Sequence, residues 1–323
     1  MTFHRIPCRI CASEATFALP AGRYAAFFSL RVDTAKDPYL TYSRMPTTKA
    51  RVQTRILRNL RQALKLPAAP AAPVQEYLTF MTGCTNCQGL TPTYEFSSED
   101  LLGLYRDYRS ETYNRDRISV EPGYARIAAD VGNVAQEIVC RNTLVEAFLR
   151  RNATVFSPGG TMIDYGGSDG RFVTDFMYET FDRIEIFEPS DAPLHESVTS
   201  PKISKTANPR EGAYNFLTCM HVLEHVAHPR TFVLDMLKFV APGGLIYLEL
   251  PHELDRQSWS DFEHRIIDQT YQIHEHINKL STKSISKMVE SIPGLSLVDQ
   301  AENFVDLGWT TGTNGYFLIR KKY

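Results

Sequence analysis

The feature that most constrains this chain is the step from the apolar run Thr161-Met-Ile-Asp-Tyr165 into the turn Gly166-Gly-Ser-Asp-Gly170. A short apolar run that ends in a glycine-rich turn predicts a buried strand handing over to a helix. Glycines in such a turn let backbone approach a ligand where a side chain would collide, and the helix start offers free N–H groups. Further on, Glu188 ends a second apolar run that starts at Arg183, about 20 residues downstream, where an acid can bond ribose hydroxyls. A nucleoside ligand suits that pairing better than an ordinary strand-to-helix turn does.

The rest of the C-terminal half repeats the rhythm. Ala213–Cys219 reads as a strand, and a helix after His221 is expected to carry Phe232, Leu234, Leu237 and Val240 inward. That helix should stop at Ala241-Pro-Gly-Gly244 and feed the strand Leu245–Leu250. Strands separated by helices imply an α/β, doubly wound, mostly parallel sheet covered on both faces. Leu295–Gln300 and Tyr316–Arg320 are expected to form a hairpin that closes the sheet, and residues 123–152 to form helices packed before the first strand.

The N-terminal third differs. Cys8/Cys11 and Cys84/Cys87 are two C-x-x-C pairs, a spacing that lets two thiolates grip one face of a tetrahedral zinc, with the second pair closing the site. The 72 residues between Cys11 and Cys84 exceed the usual ribbon spacing, so two unligated pairs in turns remain the alternative. The excess holds a segment from Arg44 to Lys65 with seven basic and no acidic residues, then the stiff run Pro67-Ala-Ala-Pro-Ala-Ala-Pro73. Ile56, Leu57, Leu60 and Leu64 make that basic segment a helix with a solvated face. Cys140 and Cys219 read as small buried side chains. A net charge of -2 gives no overall field selecting nucleic acid or membrane. The first residues lack a secretory pattern and no apolar run is long enough for a span, so a cytoplasmic location is expected.

Together, D-x-G-x-x-D-G at 164–170, F-E-P-S at 187–190, H-V-L-E-H at 221–225 and A-P-G-G at 241–244 resemble the class I methyltransferases that use S-adenosylmethionine (SAM). The turn departs from the commoner form by carrying Ser168 at its middle glycine. The resemblance implies a Rossmann-like sheet of seven strands. It also implies that Asp164, Gly166, Gly167 and Gly170 cradle the methionine part of SAM, that Glu188 holds its ribose, and that His221 lies beside it. Glu224 and His225 read as a structural helix start, not as an acid and base pair.

The cysteine pairs, the aromatic stretch from Ser98 to Tyr108 and this fold, in that order, resemble zinc-containing deoxysugar C-methyltransferases of the tetronitrose type. Their further C-terminal domain has no counterpart before Tyr323. Tyr271-Gln-Ile-His274-Glu275-His276, with Leu280-Ser281, resembles their Y-H-E-H-L-x-x-F-S segment, with Ile273 standing where a tyrosine is usual. By that resemblance Glu275 and His276 are catalytic, with His274 completing the set. His276 would be the base and Glu275 would orient it or bond a substrate hydroxyl. A packing cluster of histidines is the alternative. Tyr105, Tyr108, Tyr113, Arg115 and Arg117 are candidates to line the acceptor pocket.

The expectation is therefore a zinc module over residues 1–118, with the basic insertion at about 44–73, and a SAM methyltransferase domain over 119–323. Its acceptor would be a small molecule, with a nucleotide-linked sugar as the candidate class, methylated on carbon, oxygen or nitrogen. No Asn-Pro-Pro-Tyr type sequence follows Cys219, which disfavours nucleic-acid amine chemistry. An RNA-binding protein and a catalytically silent scaffold are the readings from other classes.

Overall fold

The computed structural model describes residues 7–43, 76–108, 110–131, 134–190, 193–254, 256–263 and 271–323. The basic segment from Arg44 and the proline run lie outside them. Two sheets organise the described residues. The larger has seven strands: β5 (Thr161–Tyr165), β6 (Arg183–Phe187), β7 (Ile203–Thr206), β8 (Tyr214–Met220), β9 (Val240–Pro251), β11 (Leu295–Asp306) and β12 (Thr311–Lys321). Their order is β11-β12-β9-β8-β5-β6-β7. β5 to β9 run parallel, and β12 lies antiparallel between β9 and β11. This is the doubly wound α/β sheet that the strand and helix rhythm predicted, with the expected closing hairpin.

Alternate side chains of the central strands enter two separate cores, because successive residues of a strand point to opposite faces. Ile163, Leu217, Ile246, Leu248, Phe317 and Ile319 pack on one face. Met162, Phe216, Leu245, Tyr247, Tyr316 and Leu318 pack on the other. Burial on both faces explains why these strands read as continuous apolar runs.

The segment after β8 departs from expectation. A short 3-10 turn (Leu223–His225) precedes a helix of only Pro229–Met236, and Val233 and Met236 are its most buried apolar side chains. Phe232, Leu234 and Leu237 are partly buried against the same core. Val240 and Ala241-Pro-Gly-Gly244 belong to β9, whose pairing with β8 carries an irregularity between Tyr214 and Phe216. The bulge absorbs the turn that the proline and glycines were expected to make. Cys219 is buried as expected, whereas Cys140 is only half-buried.

The smaller sheet has the order β10-β1-β3-β2, from β1 (Thr16–Tyr24), β2 (Thr41–Ser43), β3 (Glu76–Cys84) and β10 (Tyr271–Ile273), with β4 (Leu90–Pro92) on β3. β10 comes from the C-terminal part of the chain and runs parallel to β1. The N-terminal sheet therefore holds the strand that leads into His274-Glu275-His276. Among the described residues no helix is long and apolar enough to cross a membrane.

Candidate active site

The glycine turn follows β5 at the carboxyl edge of the sheet, beside the point where strand order reverses, which is where open α/β sheets bind ligands. Gly166 has φ +82°, and a Cβ there would lie 2.7 Å from Val222 Cγ2. A Cβ on Gly167 would lie 2.4 Å from Asp164 Oδ2. Asp164 is buried; its Oδ1 accepts from Thr218 Oγ1 at 2.7 Å, while its Oδ2 has no hydrogen-bond partner. Burial pushes this carboxyl up to about 6, with Glu188 and Glu249 adding to the rise against Thr218 and Arg141. Glu188 accepts from Ser168 N and Ser190 N, both at 3.1 Å, and so is aimed back at the turn. A bare backbone cradle with an orphaned carboxylate oxygen on one side and an oriented carboxylate on the other fits a ligand with an ammonium and sugar hydroxyls.

His221 sits across from this turn with φ +55°. Its backbone N donates to Glu249 O at 2.8 Å and its Nε2 lies 2.9 Å from Glu249 Oε1. Arg141 Nε donates to the same oxygen at 3.1 Å and Asn314 Nδ2 at 2.9 Å. Burial alone would raise Glu249, but the Arg141 charge and the His221 hydrogen bond outweigh it and hold the carboxyl down at about 2. No motif or spacing marks Glu249, Arg141 or Asn314, because they meet only when β9, β12 and the helix Ala135–Arg151 pack together.

His276 Nδ1 lies 2.9 Å from Glu253 Oε1, just past the end of β9, and Lys279 Nζ lies 3.4 Å from Glu253 Oε2. Burial lowers the His276 pKa, but the Glu253 hydrogen bond and the charges of Glu253 and Glu224 more than reverse it, so the net direction is up. Glu253 is thus the carboxylate that orients His276, a role expected of Glu275. Glu275 instead accepts from Tyr113 Oη and, at 2.5 Å, from Arg117 Nη1, and His274 Nδ1 lies 3.8 Å away. These partners hold it ionised against its burial, well below the usual carboxylate range. Tyr105 Oη donates to Glu275 O at 2.5 Å and lies 2.9 Å from His225 Nδ1. Three side chains of the aromatic and basic stretch therefore converge on the His-Glu-His segment, while Tyr108 packs edge-on against Tyr105 and Tyr113. Burial lowers His225 to about 4. Its ring stands 4.8 Å from that of His276, and Glu224 lies between the two halves of the site, 3.6 Å from His221 Nδ1 and 3.9 Å from His225 Nε2.

The four paired cysteines meet. Cys8 Sγ and Cys87 Sγ are 3.7 Å apart, as are Cys11 Sγ and Cys84 Sγ, and all four are buried. Disulfide sulfurs stand about 2.05 Å apart. The edge of a tetrahedron with Zn–S bonds of about 2.3 Å is about 3.75 Å, so the spacing suits a four-thiolate metal site. Ile10 N and Asn86 Nδ2 point at Cys8 and Cys11 sulfurs at 3.4 and 3.5 Å, as donors to thiolates do. The cluster is packed into one face of the large sheet's core. Ser284 Oγ donates to Cys87 O at 3.2 Å, and Leu90 bridges Lys279.

Residues 140–298 match a family model described as a methyltransferase domain. No curated protein matches the sequence. Among solved structures, a SAM-dependent methyltransferase from Leishmania major is 12% identical with a TM-score of 0.43, covering 60% of this chain and 76% of that one. One from Mesorhizobium loti is 11% identical, TM-score 0.37, covering 52% and 94%. The N-methyltransferase NodS from Bradyrhizobium japonicum WM9 is 14% identical, TM-score 0.38, covering 55% and 94%. The family match falls on the strands that carry the glycine turn and its facing carboxylate, so this part of the chain is a SAM-dependent methyltransferase domain.

Proposed function

We propose that the chain methylates a small acceptor at a carbon beside a keto group, a nucleotide-linked sugar being the favoured class, with His276 as the base. The observation that carries this reading is the Glu253–His276 pair at 2.9 Å, which fixes the imidazole through Nδ1 and leaves Nε2 to take a proton. The loop 221–226 joins this pair to the cofactor cradle, since Asn278 N donates to Glu224 O at 3.0 Å and Val222 abuts Gly166.

Bound SAM supplies a methyl group on a sulfonium. Asp164, Gly166, Gly167 and Gly170 would hold its methionine part, Glu188 its ribose hydroxyls, and His221 would border it. His276 Nε2 removes the proton from the acceptor carbon, and Glu253 stabilises the imidazolium that forms. Lys279 keeps Glu253 in place. Glu275, gripped by Tyr113 and Arg117, anchors the segment instead of touching the reacting atoms, and His274 backs it. In-line transfer needs the carbon held about 3 Å from the methyl. Cys8, Cys11, Cys84 and Cys87 hold a structural zinc that, with all four positions filled, performs no chemistry. Residues 1–118 form the module built around it, and 119–323 the catalytic domain.

The test is hydrogen exchange at the acceptor carbon in deuterated water without SAM, over a panel of keto sugars. Label incorporation that disappears in His276→Ala supports the reading. A methylated acceptor whose carbon never exchanges identifies oxygen or nitrogen chemistry and refutes it.

A further inference from the structure

The hydrogen bonds around His225 and His276 leave one ring nitrogen of each with a lone pair, close to the buried carboxylate of Glu224. Tyr105 Oη gives its hydrogen to Glu275 O, so His225 Nδ1, 2.9 Å from both that hydroxyl and that carbonyl, must be the protonated ring nitrogen. Its Nε2 then carries a lone pair, directed at Glu224 Oε1 at 3.9 Å. His276 Nδ1 faces the Glu253 carboxylate and must also carry a hydrogen, which puts a lone pair on its Nε2. Glu224 is 1% exposed, and neither of its carboxylate oxygens has a hydrogen-bond partner. A buried carboxylate with no hydrogen bond is costly, and the ring nitrogens nearest it, His221 Nδ1 at 3.6 Å and His225 Nε2 at 3.9 Å, stand beyond hydrogen-bond reach.

We propose that Glu224, His225 and His276 form a second metal site, taking a borderline divalent cation of the zinc, cobalt or nickel class. Their ligand atoms all lie within 4.8 Å of one another. Tetrahedral ligands at about 2.0 to 2.1 Å stand about 3.4 Å apart, so closing on an ion asks each side chain to move by less than about 1 Å. The surroundings match what metal-binding histidines need: each donates its other ring N–H, His225 to a backbone carbonyl or the Tyr105 oxygen and His276 to a carboxylate. Glu253, His274 and His276 form a second group with ligand geometry, but there Glu253 is already committed to His276 and the Lys279 ammonium stands 3.4 Å away, which repels a cation. Three protein ligands leave a coordination position open. A cation in this site takes the Nε2 lone pair of His276, so it reversibly blocks the base. That consequence rests on the role proposed for His276; the binding does not.

The experiment is equilibrium dialysis of the intact chain against micromolar Zn2+, reading bound metal per chain by mass spectrometry, for the parent, Glu224→Gln and His225→Gln. The parent is expected to hold one equivalent more than either variant, with the extra site weakened about 100-fold or beyond measurement on loss of one ligand. Circular dichroism and SAM binding check that the variants are folded. Equal metal content in parent and both variants at every concentration overturns the proposal. The difference between proteins is the readout, so the outcome does not depend on the four-thiolate site. Zn2+ binding that leaves hydrogen exchange at the acceptor intact refutes the role of His276 as base, not the metal site.

Discussion

Replacing Asp164 with Asn separates what the carboxylate does for the fold from what it does for a ligand. Its folded pKa is about 6 against an ordinary 3.8, chiefly because of burial. A group whose folded value is raised contributes stability that is fully present at low pH and is lost as pH climbs through the folded value. At about 1.4 kcal/mol per unit, the shift of a little over two units corresponds to about 3 kcal/mol, lost between about pH 4 and pH 6. Asp164→Asn cannot ionise, so its stability should lack that loss. The gap between variant and parent should therefore widen in favour of the variant by about 3 kcal/mol over this window and then stay flat. Urea unfolding of both proteins without SAM, at half-unit pH steps, measures it. Calorimetry at pH 7.5 supplies the second half: if the orphaned Oδ2 receives the donor's ammonium, the more stable variant binds SAM at least about tenfold more weakly. Parallel pH curves would refute the burial argument. Undiminished SAM affinity would refute the assignment of Asp164 to the cofactor.

Glu188→Ala should weaken SAM and its demethylated product by about 1.5 to 3 kcal/mol in calorimetry, since it removes the carboxylate aimed at the ribose without touching the core. Glu253→Gln should lower kcat by about 100-fold or more while His276 stays in place, because the imidazolium loses its counter-charge; an unchanged kcat sinks the pair. Arg141→Met strands the buried Glu249 and should cost about 3 to 5 kcal/mol in denaturant unfolding, whereas adding Glu249→Leu should recover much of that loss. Cys87→Ser should abolish binding at the four-thiolate site and, because Cys87 O receives Ser284 and the cluster lies in the main core, lower Tm by more than about 5 °C.

What the sequence made legible is what depends on neighbours along the chain. Thr161–Tyr165, its glycines and Glu188 lie within one strand, helix and strand unit, so their geometry follows from spacing. The cysteine pairs could be matched across 72 residues only because C-x-x-C spacing is itself a ligand geometry. Glu253 had no such marker. It stands 23 residues before His276, and it becomes the orienting carboxylate because β9 and β10 belong to different sheets whose ends meet there. Glu275, adjacent to His276, looked like its partner, but the chain bends at His274 and Glu275, just past the end of β10. In the fold Glu275 turns to Tyr113 and Arg117, leaving His276 to Glu253. Glu224 and His225, which read as a helix start from their own neighbourhood, form a short 3-10 turn before the helix Pro229–Met236. Only the return of the 274–281 segment across them, through Asn278 and the Tyr105 hydroxyl, gives His225 its tautomer, and the Glu224 carboxylate is left without a hydrogen bond.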